Sequence, residues 1–564
     1  MASLLSKRQL RQLPSSLVNK FSISGVASPL SLNPRSLISG IQKRTIASAD
    51  IDATKGDRER VVVLGSGWGG HVFARNLNPK KYQAVVVSPR SYFAFTPLLS
   101  DACVGNLDFN ATIEPIRNKR SNAEFFQAWA DDLDLKHKRL TIEENILDPR
   151  STSALITDRF EGLSPDRVQL ERKHKKKQGQ LFDITYDKLV IAVGCYAQTF
   201  GTKGVKEFAF FLKDVGDARK IRRRVFEAFE IAALPTTSNE MRKALLHFVA
   251  VGGGPIGMEF AGNLSDLISQ DLLKIYPFLE PFVRITVYDV APKVLSMFDE
   301  SLGEYAMKIY KRQGINIRTS HHVEELRPGL PNEPGENITG VLTIKTKEEG
   351  EIGTGMCVWA TGNKANPFVR AQLEKPLTHA EFPYKTAELI KGHHHEHTKE
   401  ENEVWKLKQD PKTRYMMVDP YLRVKMQTQA TEKGGERQSE AVLSDVFALG
   451  DCAIREKDPL PALAQVANQQ AIWLAKHLNR LTHTTYSRTG YGKPFEFRSK
   501  GVTTYIGSQR GLFQSAGGGK MEGRKAWLAW KGTYIYLSLS WRRRLMVASY
   551  WILNAIWGRD VSRY

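Results

Sequence analysis

Val61-Val62-Val63-Leu64-Gly65-Ser66-Gly67-Trp68-Gly69-Gly70 and, further along the chain, Phe248-Val249-Ala250-Val251-Gly252-Gly253-Gly254-Pro255-Ile256-Gly257 each run a β-branched, apolar stretch into G-x-G-x-x-G. A buried parallel strand turning sharply into a helix has this pattern. The first glycine makes the turn, the second lets backbone approach a pyrophosphate, and the third lets helix pack on strand. The phosphates then meet the positive end of the helix dipole. One such turn is weak evidence of a ligand. Two in one chain point to a protein that holds two dinucleotides against each other.

Around these turns the chain alternates short apolar strands with helical stretches. Ala84-Val85-Val86-Val87 reads as the second strand of the first unit. Leu189-Val190-Ile191-Ala192-Val193-Gly194 reads as a later strand closing on glycine. In the second unit, Val283-Arg284-Ile285-Thr286-Val287-Tyr288-Asp289 reads as a strand ending in an acid. Trp359-Ala360-Thr361-Gly362 again closes on glycine, as does Val446-Phe447-Ala448-Leu449-Gly450-Asp451. Pro328 to Asn337 reads as a turn between strands. The lysine-rich run at 174–177 reads as a solvated loop. The polar insertion at 373–412 holds a histidine cluster at 393–397, which reads as an exposed loop rather than a metal site.

The 564 residues carry a net charge of +21 and ordinary apolar content. Part of the charge is concentrated in residues 1–49, which have basic residues, many serines and no acid. That is the composition of a mitochondrial transit peptide rather than a secretory signal. The four cysteines are far apart and form no C-x-x-C, which argues against zinc, iron–sulfur clusters and a redox dithiol. No D-x-[DN]-x-[DN]-G calcium loop occurs, and no metal is expected. No stretch has the 18 or so apolar residues that a spanning helix requires. Near the C-terminus the composition shifts: Trp527, Trp530, Trp541, Trp551 and Trp557 surround Arg542-Arg543-Arg544. Met546, Tyr550, Leu553 and Trp557 share one helix face. Trp and Tyr beside Arg suit a helix lying in a membrane interface, or one packed on the core or on a twin subunit.

With both turns placed, the chain resembles the mitochondrial type II, or alternative, NADH:ubiquinone oxidoreductases. Beyond the turns, the resemblance is carried by Ser88-Pro89-Arg90-Ser91-Tyr92-Phe93, Phe95-Thr96-Pro97-Leu98-Leu99, Ile113-Glu114-Pro115-Ile116, Trp359 to Asn363, Gly450-Asp451 and Ala464-Gln465-Val466-Ala467-Asn468-Gln469. It implies an α/β fold with two Rossmann-like dinucleotide-binding domains, arranged as in glutathione reductase, plus a C-terminal amphipathic membrane-docking helical segment. The expected boundaries are a leader at 1–49, an FAD-binding domain in two parts at 58–215 and 366–500, an NADH-binding domain at 216–365, and a membrane-associating segment at 501–564.

By the same resemblance, Gly65, Ser66, Gly67, Gly70, Ser88, Arg90, Thr96, Gly450, Asp451 and Ala464 hold FAD. Gly252, Gly254, Gly257, Asp289, Gly362 and Asn363 hold NADH. Ser88 stands where the general dinucleotide fold has an acid, as in the family's own Ser-Pro-Arg segment. Asp289 can bond ribose hydroxyls and repel a 2′-phosphate, favouring NADH over NADPH. Glu259, Gln465 and Gln469 are the catalytic candidates. Glu259 resembles a family glutamate near the nicotinamide, and the two amides can bond a quinone carbonyl or flavin edge without adding charge. Asn468 replaces a histidine common in the family, which puts a direct proton-donor role at that position in doubt.

The implied activity is FAD-dependent, non-proton-pumping NADH oxidation with two-electron reduction of ubiquinone. The expected setting is the surface of the mitochondrial inner membrane, with the matrix side favoured and a homodimer through the C-terminal segment possible. No nucleic acid is expected as a partner. The competing readings are an NADH-binding flavoprotein of the apoptosis-inducing-factor kind, acting through partners or nucleic acid, and a soluble NADH-dependent reductase of a redox protein.

Overall fold

All but the first of the residues in the strand Glu59–Leu64 are buried, as expected for a strand covered on both faces. In the computed structural model it pairs in parallel with Tyr82–Ser88 on one side and Lys188–Ile191 on the other. Ala123–Asp134 and Glu440–Ala448 extend the parallel ladder outward, and antiparallel strands continue the sheet at both ends. The second glycine turn repeats the plan. His247–Val251 lies between Arg284–Tyr288 and Met356–Trp359, with Phe210–Phe211 and Ile315–Arg318 at the edges, all parallel. In each sheet the turn-bearing strand sits where the strand order reverses, the place where open α/β sheets bind ligands. The units are tied by a short antiparallel pair, Cys195–Ala197 with Asn363–Ala365.

The structure describes residues 46–117, 122–145, 153, 179–335, 339–391, 404–428, 439–481, 492–538 and 540–561. The leader up to residue 45, the lysine-rich run and the histidine cluster lie outside them. Ahead of the first strand, the described residues form a helix at Ile46–Lys55. Ile51 is buried, its carbonyl accepts from Gln83 Nε2 at 2.7 Å, and Asp52 pairs with the buried Arg60 at 2.7 Å. Described segments of the polar insertion join the same sheet. Ala387–Lys391 pairs with Glu440–Ala448, and Trp405–Leu407 pairs with Arg423–Thr428, so its ends widen the first sheet. Among the described residues no helix is long and apolar enough to cross a membrane.

Two helices, Gly523–Leu537 and Trp541–Trp557, close the chain. Trp530, Tyr534, Val547 and Trp551 are buried in the same core as the first-unit strands. The sequence stripe of Met546, Tyr550, Leu553 and Trp557 is split by this packing: Met546 and Tyr550 lean on the core. The outward apolar face is instead Trp541, Leu545, Ile552, Leu553, Ile556 and Trp557. Buried Val547 and Trp551, four apart, fix the rotation of the helix and turn the other stripe outward.

Candidate functional site

The two glycine turns are built alike, residue for residue. Gly65 has φ +104° and Gly252 φ +120°, a region that glycine adopts without strain. A Cβ on Gly70 would stand 1.9 Å from the Gly65 carbonyl oxygen, and one on Gly257 would stand 2.0 Å from that of Gly252. These two positions therefore admit only glycine. At the middle glycines, Gly67 and Gly254, a Cβ would meet nothing within 4 Å. Both are also the N-cap residues of their helices, Trp68–Asn76 and Pro255–Leu267, with no side-chain cap. Open space in front of an uncapped helix N-terminus is what a bound pyrophosphate fits.

Around the first turn, Ser66 Oγ lies 2.9 Å from Ser88 Oγ, and it donates to the carbonyls of Arg90 and Tyr92, both at 3.1 Å. Ser88 Oγ in turn accepts from the Arg90 backbone N–H. Arg90 pairs with the buried Asp214, which caps the helix Val215–Ala233 and accepts from Tyr92 Oη at 2.7 Å. Burial raises the Asp214 carboxyl. The Trp68 indole N–H donates to Thr96 Oγ1 at 3.1 Å, and its ring meets Phe93 and Phe95.

Gly450 and Asp451 lie against the start of the helix Ala464–Arg480. Gly450 N–H donates to Gln470 Oε1 at 2.8 Å, and a Cβ on Gly450 would stand 3.3 Å from Ala467. Asp451 is raised by burial and accepts from Cys195 Sγ at 3.6 Å. Lys213 faces both: its Nζ is 3.8 Å from Cys195 Sγ and donates to Asn363 Oδ1 at 2.8 Å. Lys213 thereby links Asn363 to the Cys195–Asp451 pair. No sequence motif flagged Lys213 or Gln470.

In the second unit the Asp289 carboxylate accepts from the N–H of Gly253 and from that of Ala291, the latter at 2.6 Å. The acid at the end of the second strand therefore lies directly on the glycine turn.

The three catalytic candidates do not share one cluster. Gln465 and Gln469 each act as a peptide mimic. Gln465 donates to the Gly501 carbonyl and accepts from Lys500 N–H, both at 3.2 Å. Gln469 donates to the Arg498 carbonyl at 2.8 Å and accepts from Arg498 N–H at 3.1 Å. Together they fasten residues 498–501 to the helix. Glu259 is 6% exposed and faces the C-terminal segment. Its Oε1 accepts from Thr504 Oγ1 and Tyr505 N–H at 3.0 Å and from Trp530 Nε1 at 3.3 Å. Burial outweighs these donors and raises the carboxyl to about 7. Among the described residues no group of side chains could hold a metal ion.

Comparison with known proteins agrees with this architecture. Residues 59–383 match the pyridine nucleotide-disulphide oxidoreductase family, and residues 500–560 match the NDH2 C-terminal domain. A probable NADH dehydrogenase of Dictyostelium discoideum is 32% identical, over 90% of this chain and 92% of that protein. The external alternative NAD(P)H-ubiquinone oxidoreductase B1, mitochondrial, of Solanum tuberosum is 32% identical over 90% of each. The internal enzyme A1, mitochondrial, of Arabidopsis thaliana is 30% identical over 90% of this chain and 86% of that protein. In fold, the chain is similar to NDH2 of Plasmodium falciparum, with TM-score 0.68 and 22% identity over 90% of this chain and 100% of that one. With the twin turns, the acid on the second turn and the C-terminal domain all in place, the chain belongs to the alternative NAD(P)H-ubiquinone oxidoreductases, a branch of the pyridine nucleotide-disulphide oxidoreductase family.

Proposed function

We propose that this protein oxidises NADH and reduces ubiquinone, NADH + H⁺ + ubiquinone giving NAD⁺ + ubiquinol, without pumping protons. The observation that carries the reading is the pair of open, uncapped glycine turns at Gly67 and Gly254, one for each dinucleotide. FAD, when bound, supplies the two-electron chemistry that links donor to acceptor. The first turn, Ser66, Ser88, Arg90, Thr96, Gly450, Asp451 and Ala464 would hold it. The second turn, Asp289, Gly362 and Asn363 would hold NADH, and Lys213 keeps the two groups of residues in register.

The overall reaction takes up one proton. Glu259 is the group we assign to hold that proton near neutral pH, because its carboxyl is buried and raised to about 7. Gln465 and Gln469 are assigned to the quinone side of the site. Contact with quinone there requires them to exchange their bonds to residues 498–501.

The outward face of the last helix suits a lipid surface. Trp541 and Trp557 are 76% and 75% exposed, and Arg544 lies 5.0 Å from the Trp541 ring and 5.7 Å from that of Tyr536. Aromatic rings with adjacent guanidinium groups partition to the headgroup region. We place the protein on the mitochondrial inner membrane, facing the matrix, with the same helix available to a second copy. The decisive measurement is NADH oxidation by FAD-loaded protein in vesicles with and without long-chain quinone. Turnover that depends on quinone is expected. NADH oxidation indifferent to added quinone overturns the assignment. Protease accessibility in mitoplasts compared with intact mitochondria reports the side.

A further inference from the structure

Two indole rings meet at a tilt in the seam between the C-terminal helices and the rest of the protein, and each donates to a different buried carboxyl. Trp530 and Trp551 lie 5.7 Å apart at 35°. Trp530 Nε1 reaches Glu259, and Trp551 Nε1 reaches Asp101 Oδ2 at 3.0 Å. Asp101 is 2% exposed and stands on the helix Leu99–Cys103. A second bridge joins the same two elements: Asn106 Nδ2 donates to Asp101 Oδ1 at 3.2 Å and to Asn263 Oδ1 at 3.1 Å. Asn263 is one helical turn beyond Glu259 and fully buried. The two acids thus face one buried seam, linked through the tilted indole pair and through an amide.

We propose that Asp101 is a positioning residue for proton handling at Glu259: a negative charge held on Asp101 across this seam keeps the proton on Glu259 near neutral pH. The inference rests on the role assigned to Glu259 above.

Burial raises the Asp101 carboxyl, and four neighbouring groups oppose that rise by favouring the ionised form. The Asn106 amide and the Trp551 indole only donate to it. Two cations face it, Lys531 and Arg559. Lys531 is held over the rings of Trp527 and Trp551, at 4.3 and 4.9 Å. The other ionisable groups facing Glu259 are Tyr310, whose hydroxyl bonds the Met258 carbonyl, and Tyr534. The Tyr505 hydroxyl is engaged by Asp266. Burial holds all three phenols neutral across the working range. Asp101 is therefore the acid on a neighbouring element whose charge, when ionised, acts on Glu259. In a buried seam two acids do not readily ionise together, so a charge on one keeps its neighbour protonated.

The test is the pH profile of quinone turnover by the FAD-loaded full chain in vesicles, with ferricyanide reduction by NADH as the control reaction. Asp101→Asn should move the titrating step to lower pH by about half a unit or more, and Asp101→Glu should leave it where the unaltered protein has it. Trp551→Phe keeps an aromatic ring against Trp530 but removes the N–H donor that favours ionised Asp101. It should move the step in the same direction as Asp101→Asn, independently of whether Asp101→Asn folds. Glu259→Gln should abolish the step. If Glu259→Gln abolishes it while Asp101→Asn and Trp551→Phe leave it in place, the inference about Asp101 is wrong and the role of Glu259 stands. If the step survives in Glu259→Gln, the assignment of Glu259 itself is wrong.

Discussion

Asp289 accepts a hydrogen bond from the backbone N–H of Gly253, so the acid ending the second strand and the glycine turn form one rigid corner. A second bond, from Ala291 N–H, leaves the carboxylate little freedom to swing aside. A 2′-phosphate entering that corner meets a fixed negative charge. Asp289→Asn keeps one acceptor oxygen and removes the charge. The expected result is a rise in NADPH use relative to NADH, and each tenfold change corresponds to about 1.4 kcal/mol. Steady-state rates with both nucleotides measure the ratio. An unchanged ratio removes Asp289 from the ribose site.

The glycines of each turn separate into two classes with different mutational signatures. Gly70→Ala forces a Cβ into the Gly65 carbonyl and should leave little folded protein. Gly67→Val points into open space. It should fold, with near-normal far-UV circular dichroism, and emerge without flavin because the side chain occupies the pyrophosphate cradle. Gly254→Val should remain yellow and lose affinity for NADH by at least about tenfold, a loss of about 1.4 kcal/mol or more. Flavin loss in Gly254→Val with NADH binding intact would reverse the assignment of the two units.

These turns were legible because their constraint is local: strand, turn and helix are contiguous, and the glycine pattern follows from backbone sterics alone. Asp289 was legible for the same reason, as the last residue of an apolar run. The surroundings of Glu259 were not. Its partners Thr504, Tyr505 and Trp530 come from the far end of the chain, and no periodicity in the helix Pro255–Leu267 announces them. Lys213 was invisible because a lysine after an apolar pair is ordinary, and its meaning lies in Cys195 and Asn363 converging on it. The rotation of the last helix was misjudged by part of a turn. Periodicity marks an apolar stripe but does not say which of two adjacent stripes the core takes, and Trp551 decided that by finding Asp101 as a partner.

That rotation supplies a membrane prediction. Removing the whole segment would also strip Trp530 and Trp551 from the core, so substitutions confined to the outward face are the cleaner test. Leu545→Ser, Ile552→Ser and Ile556→Ser combined alter residues that are 66%, 59% and 63% exposed. The fold should be kept, since burial of these side chains contributes little to it. Vesicle co-sedimentation should fall several-fold, and long-chain quinone turnover should fall more than NADH:ferricyanide turnover. Normal sedimentation of the triple variant would assign this face to a partner copy instead of lipid.

Stability should depend on pH through Glu259. Its carboxyl titrates at about 7 in the folded protein, against the ordinary 4.5. The folded-state value is the higher one, so the folded protein binds this proton more tightly than the unfolded chain does. The associated stability is complete below about pH 4.5 and is lost as pH rises through about 7. The loss is on the order of 3 kcal/mol at 1.36 kcal/mol per unit. Glu259→Gln has no proton to lose at that position. The other carboxyls raised by burial, Asp101, Asp214, Asp266 and Asp451, remain in both proteins and slope in the same direction. The expected observation is that urea unfolding, followed by tryptophan fluorescence from pH 5 to pH 8.5, shows a steeper decline for the unaltered protein than for Glu259→Gln. The two curves should converge or cross above pH 7. Parallel curves across that window would mean that Glu259 is already ionised in the folded state, and the proton it is assigned to hold would have to reside elsewhere in the site.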